Sequence, residues 1–165
     1  MSGPVKFEFS LNEEDFLIYN LFTASKSKNI QDKEKKGRIF TSIFFLAFAV
    51  IGVVIGRLNL AVYFLVTSII STLFYVKYFR WRYKNHYKKQ IKENHQNRIG
   101  QNVTIWFDEN HLISIDKTGE GKLNLTEIEV VNEIESHFFI LLTSGQSIIV
   151  PKGQIHIQDF IKELE

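Results

Sequence analysis

The chain has 165 residues, a net charge of +2 and no cysteine, which excludes disulfides, thiolate metal sites and cysteine nucleophiles and fits a reducing compartment. Its averages, 45% hydrophobic and 23% charged with a mean hydropathy of −0.05, look like those of a soluble domain because polar ends dilute an apolar middle. The charge is split as well: residues 1–100 hold sixteen Lys and Arg against seven Asp and Glu, whereas residues 101–165 hold four against eleven.

Val5 to Phe9 alternates apolar and charged residues, the pattern of a short strand with Val5, Phe7 and Phe9 on one face. A helix start follows. Ser10 and Glu13 have the spacing of a capping box, Asn12 is a second candidate cap, and Glu13, Glu14 and Asp15 suit the positive end of a helix dipole. Phe16 to Phe22 supplies an apolar surface, and Ser25 to Lys36 reads as a lysine-rich solvated helix rather than a nucleic-acid-binding run. Gly37 is the expected point of bending.

Two stretches without charge then lie back to back, Ile39 to Gly56 and Leu58 to Val76, with Arg57 between them. A bilayer core of about 30 Å takes roughly 20 apolar helical residues, with about 17 as the lower limit. As one helix, residues 39–76 would run roughly 57 Å, so the sequence predicts a transmembrane hairpin with spans at about 39–56 and 58–77. Two core helices of a soluble domain are the alternative, against which stands the lack of a charged outer stripe. Because a polar, charged segment precedes the first span, no secretory signal peptide is expected.

Lys26, Lys28, Lys33, Lys35, Lys36 and Arg38 before the spans, and a second basic cluster after them, predict a two-span cell-membrane protein with both termini cytoplasmic. No ionisable residue lies inside either span, which argues against a proton or ion pathway. Gly52 and Gly56, in G-x-x-x-G spacing, and Ser68 and Thr72 are the candidate helix-packing positions. Packing within the hairpin is the first reading, and a homo-oligomeric seam is the other.

Beyond the second span, Phe79, Tyr83, Tyr87 and Ile91 recur every four residues among basic neighbours, giving a cationic amphipathic helix that Gly100 ends. Lys77, Arg80, Trp81, Arg82, Lys84, Lys88 and Lys89 are the expected contacts with the membrane surface, Tyr78, Trp81 and Tyr83 forming an aromatic belt. If this helix and the one before the hairpin rise side by side as a stalk, they return the Val5 to Phe9 strand to the level of the C-terminal residues.

From Gln101 the periodicity changes to strands, at 103–107, 112–115, 122–125, 128–134, 138–143 and 147–150, with turns at 108–111, 118–121 and 144–146. Pro151 stops the last strand, and residues 155–164 form a helix with Ile157, Phe160, Ile161 and Leu164 on one face. With the N-terminal strand this makes seven strands, expected as one mostly antiparallel sheet crossed by the terminal helix.

The segments Val103 to Asp108, Leu123 to Ile128, Phe138 to Leu142 and Ile148 to Lys152 resemble the YcxB-like bacterial membrane protein family. The apolar strand ending in Val150, Pro151 and Lys152 is the most specific of them. At Asn124 and Leu125 the chain departs from the Pro and Trp common in the family. The resemblance implies an α+β membrane protein: a two-helix transmembrane hairpin with a cytoplasmic pleckstrin-homology-like β domain capped by a C-terminal helix. It implies no activity.

The expected organisation is thus an N-terminal strand and helix (1–37), the hairpin (38–78), a basic juxtamembrane helix (79–100) and a YcxB-like β domain (101–165). The five histidines have no metal-ligand spacing and read as solvated or strand-edge residues. No nucleophile elbow or phosphate-binding glycine loop appears, and Glu127, Glu129, Glu133 and Glu135 read as a solvated stripe. No catalytic, metal or cofactor site is therefore expected. The acidic C-terminal part repels nucleic acid and anionic head groups. The expected function is a membrane-anchored cytoplasmic interaction or regulatory module, with the lipid bilayer and a protein as partners. Two rivals are a structural anchor oligomerising through the hairpin, and a membrane enzyme built on Glu13, Asp15, His95 and Asp108 at the stalk junction.

Overall fold

The structure, a computed structural model, describes residues 5–164 apart from His95 and Thr118, with side chains through Lys162. The described residues form an α+β arrangement of seven strands and four α-helices, in the order β1 (Lys6–Ser10), α1 (Glu13–Lys26), α2 (Lys28–Val54), α3 (Leu58–Asn94), β2 (Asn102–Asp108), β3 (His111–Asp116), β4 (Gly119–Asn124), β5 (Ile128–Glu133), β6 (His137–Leu142), β7 (Ser147–Pro151) and α4 (Ile157–Leu164). Two compact units divide it. Residues through Tyr19 and from Gln90 onward form one, and Asn20–Lys89 form the other.

In the first unit β1 pairs antiparallel with β2, Phe7 opposite Ile105 and Phe9 opposite Val103. The alternation places Phe7 and Phe9 in the core and leaves Lys6 and Glu8 in solvent, whereas Val5 is exposed rather than continuing the buried face. All seven strands form, but in two sheets rather than the expected one, β1-β2-β3-β4 and β5-β6-β7. A 3-10 turn at Leu125–Glu127, capped by the Asn124 side chain, separates them. Each sheet has an apolar face, and two such faces are removed from water by packing on each other. The core of Phe7, Phe9, Ile105, Phe107, Leu112, Phe138, Ile140, Leu142 and Val150 is closed by Phe160 of α4. The Phe160 ring lies 5.2 Å from Phe7, 5.8 Å from Phe107 and 5.2 Å from Phe138, so it touches both sheets.

The N-cap of α1 is Asn12, not Ser10. Asn12 Oδ1 accepts the N–H groups of Glu14 (2.7 Å) and Asp15 (3.1 Å), and Asp15 Oδ2 accepts the Asn12 N–H (2.7 Å), a reciprocal capping box two residues later than expected. Ser10 belongs to β1, where its N–H and C=O both bond the side-chain amide of Gln154. The expected turn at 108–111 forms as the β2–β3 hairpin, with Glu109 at φ 49°.

In the second unit α2 and α3 run antiparallel and unbroken from polar into apolar sequence. α2 continues through Gly37 and α3 through residues 78–79 without interruption, because helical hydrogen bonding is satisfied within the segment on either side of a change in polarity.

Candidate functional site

The seam of the α2–α3 hairpin is set by its turn. The Gly56 N–H bonds the Val53 carbonyl at 3.0 Å and the Arg57 N–H bonds the Gly52 carbonyl at 2.9 Å, with Gly56 at φ +73°. This is a left-handed helix terminus of the kind glycine favours. Gly56 is therefore a turn residue and not the second member of a packing pair: a Cβ there would meet nothing within 4 Å. Gly52 faces Ala61, a Cβ on it falling 2.9 Å from the Ala61 nitrogen and 3.1 Å from its Cα.

Ser68 and Thr72 do not face Gly52. Ser68 Oγ donates to the Ser42 carbonyl at 3.0 Å, and Thr72 Oγ1 shares a 2.6 Å hydrogen bond with Ser42 Oγ. In an antiparallel hairpin, residues equidistant from the turn face each other, which puts Ser42 opposite the Ser68–Thr72 stretch and Gly52 opposite Ala61. Ala49 and Ala61 are buried, and Phe48 and Phe64 lie 5.3 Å apart between the two contacts.

The polar ends of the same helices and the last turns of α1 border an open cleft of about 770 Å³, lined by Leu21 and Ala24 of α1, Ile30 of α2, and Phe79, Trp81 and Tyr83 of α3. Lys35, Arg80 and Lys84 supply its cations and Glu34 its carboxylate. The Phe79 and Tyr83 rings lie 4.6 Å apart, tilted by 37°, and Tyr83 and Tyr87 follow at 5.9 Å. Burial and the neighbouring Tyr83 push the Tyr87 phenol above its ordinary value. Of the other membrane-surface candidates, Lys77 holds its ammonium 6.0 Å from the Phe74 ring, and Arg82, Lys88 and Lys89 are exposed.

In the first unit, one polar node lies inside the apolar interior. His137 and Asp15 are 3% and 6% exposed, and His137 Nε2 meets Asp15 Oδ1 at 2.9 Å. Its other nitrogen, Nδ1, meets Ser136 Oγ at 2.8 Å, and the ring stacks on Phe139 at 5.8 Å. His137 is thus not a solvated or strand-edge histidine. Its position at the head of an apolar run, H-F-F-I-L-L, was the signal for burial. One hydrogen bond from α1 also reaches β7, Tyr19 Oη donating to Ser147 Oγ at 2.6 Å.

The Val150, Pro151, Lys152 motif packs around this node. Val150 is in the core, Pro151 lies opposite His137 in the β6–β7 register, and the Lys152 N–H donates to the Ser136 carbonyl at 2.9 Å. The Lys152 ammonium sits 4.7 Å from the Phe138 ring and bonds Glu133 Oε1 at 2.5 Å. Pro ends the strand, and the lysine stem then covers an aromatic edge while its charge reaches a carboxylate.

The residues named for a junction enzyme do not converge. Asp15 goes to His137, Glu13 lies 3.9 Å from the Lys92 ammonium, Asp108 is exposed at the β2–β3 turn, and His95 lies outside the described residues. Among the described residues no three His, Asp or Glu gather as a metal-ligand set. Glu127, Glu129, Glu133 and Glu135 are exposed, with Glu129 at an irregularity between Ile128 and Val130.

No curated protein and no solved structure matches the chain. A family model does match over residues 107–164, which take in the segments 123–128, 138–142 and 148–152 that carry the resemblance, and leave β1 and the three long helices outside. From the end of β2 through α4, the chain carries a YcxB-like domain, the matching family being described as YcxB-like protein.

Proposed function

We propose that this is a two-span membrane protein of the cell membrane whose YcxB-like domain works in the cytoplasm as an interaction or regulatory module. The observation that carries the membrane part is where apolar surface is exposed. Phe40, Val54 and Leu73 are 72%, 79% and 70% exposed, and among the described residues outside 39–81 large apolar side chains are exposed at Val5, Ile115, Val130 and Ile157 alone. In each apolar window 11% of residues are buried, the reverse of a soluble core helix. A continuous apolar surface around a two-helix hairpin, cohering through small residues and hydroxyl bonds, is what a lipid environment selects.

Antiparallel sheets of four and three strands closed by a C-terminal helix support reading the domain as pleckstrin-homology-like. Unpaired sheet edges favour a binding role for the domain. Its partner is a protein. The sheet edges at β1, β4, β5 and β7 and the surface beside α4 are the places where a strand or helix would dock. An anchor oligomerising through the hairpin is the weaker reading, since Gly52 is already occupied by Ala61.

Reporter fusions test the topology. Fusions at either terminus should report the cytoplasm and an insertion at Leu58 the opposite side; an external C-terminus overturns the proposal.

A further inference from the structure

The cleft bordered by the last turns of α1 and the polar ends of α2 and α3 combines two chemistries, an aromatic and aliphatic wall and three cations. Lys35, Arg80 and Lys84 form no ion pair with a carboxylate among the described residues, and Glu34 is the one acid lining the space. Its volume, about 770 Å³, falls within the roughly 300–1,000 Å³ typical of small-molecule sites.

Its depth is set by the chain. Lys77 is the first charge after the uncharged stretch, and Arg80 and Lys84 follow three and seven residues later in the same helix, about 5 and 10 Å farther along at about 1.5 Å per residue. The polar layer of a bilayer adds about 5–8 Å on each side of the hydrocarbon, so Arg80 stands within it and the Lys84 backbone a few Å beyond it. Trp81 and Tyr83, between them, are the side chains that settle at that level.

We propose that this cleft binds an anionic glycerophospholipid, its phosphate held by Arg80, Lys84 and Lys35 and the start of an acyl chain lying against Leu21, Ile30 and Phe79. This rests on the membrane reading above. The site is a defined one, distinct from the diffuse attraction of the remaining basic residues, because its cations border an apolar cavity and Arg82, Lys88 and Lys89 do not. The Arg80 guanidinium offers two parallel donors to a phosphate, and Lys84 and Lys35 add charge beside it.

The test uses the full chain with Trp106→Phe, so that Trp81 is the single fluorophore, reconstituted in phosphatidylcholine vesicles containing brominated phosphatidylglycerol or, separately, brominated phosphatidylcholine. Phosphatidylglycerol should quench Trp81 at a far lower mole fraction than phosphatidylcholine. Arg80→Gln with Lys84→Gln should reduce that preference about thirtyfold. With both pairs read in about 1 M salt, where the screening length is about 3 Å and diffuse attraction is suppressed, Lys33→Gln with Lys36→Gln, an equal change of charge outside the cleft, should leave it within about threefold. Equal loss in both pairs, or no preference in the parent, overturns the site. Flotation of the same samples with pure phosphatidylcholine vesicles at high salt reads insertion separately: a chain that does not float overturns the membrane reading, whereas one that floats without lipid preference overturns the cleft alone.

Discussion

Asp15 and His137 are separated by 122 positions in the chain and by 2.9 Å in space, carboxylate Oδ1 against imidazole Nε2. The other carboxylate oxygen holds the Asn12 N–H at 2.7 Å, so one side chain both caps α1 and ties its first turn to the head of β6. The pair is closed off from water on both sides, and every polar atom in it has a partner. Buried polar groups of this kind stabilise by being satisfied and become costly when half of the pair is removed.

Asp15→Ala should therefore destabilise the β domain by about 3 kcal/mol, combining a lost cap of about 0.5–2 kcal/mol with an orphaned buried nitrogen worth about 1–3 kcal/mol. Asp15→Asn keeps the shape and an acceptor for Asn12, and should cost about 1 kcal/mol. Urea unfolding of the detergent-solubilised chain with Trp81→Phe, followed by Trp106 fluorescence, measures both. Equal stability of the alanine variant and the parent would show that the node contributes nothing.

Substitutions at Gly52 and Gly56 should differ in kind. Gly52→Leu forces α2 and α3 apart, since even a Cβ comes 2.9 Å from the Ala61 backbone, and should cost about 1–3 kcal/mol. Gly56→Ala meets no neighbour but must hold φ +73°, a strain of about 1–2 kcal/mol that Gly56→Asn largely relieves. Thermal stability in detergent should rank the parent first, Gly56→Asn next and Gly52→Leu last.

The Ser42–Thr72 hydroxyl bond at 2.6 Å lies at a position flanked by apolar sequence. A double-mutant cycle with Ser42→Ala and Thr72→Val should give a coupling of about 0.6 kcal/mol, and no more than about 1.7 kcal/mol. A coupling indistinguishable from zero would mean that shape alone holds the seam there.

Phe160→Ala should be the most damaging single change in the β domain, about 3–5 kcal/mol, because its ring contacts Phe7, Phe107 and Phe138 and leaves a cavity that two sheets cannot close together. Ile157→Ala, in the same helix but at an exposed position, should cost less than about 1 kcal/mol. Comparable losses from the two would mean that α4 is held by its own helicity rather than by the aromatic plug.

Local signals in the sequence determined where the elements lie. Charge is missing from 39–56 and 58–76, and a period of two from residue 103 onward was enough to find six strands, because both patterns report which side of a segment meets water. The Gly52–Ala61 contact was also within reach, since it follows from distance to the turn once Gly56 is understood as its left-handed residue. Tertiary structure alone decided the rest. Which strand β1 joins, that seven strands divide into two sheets, and that Asp15 meets His137 are all contacts between residues far apart in the chain, whose partners depend on how apolar faces cover each other and not on any local pattern. The cleft beside Arg80 is of the same class: its cations were legible one by one, and the cavity that they border arises when the ends of α1, α2 and α3 come together.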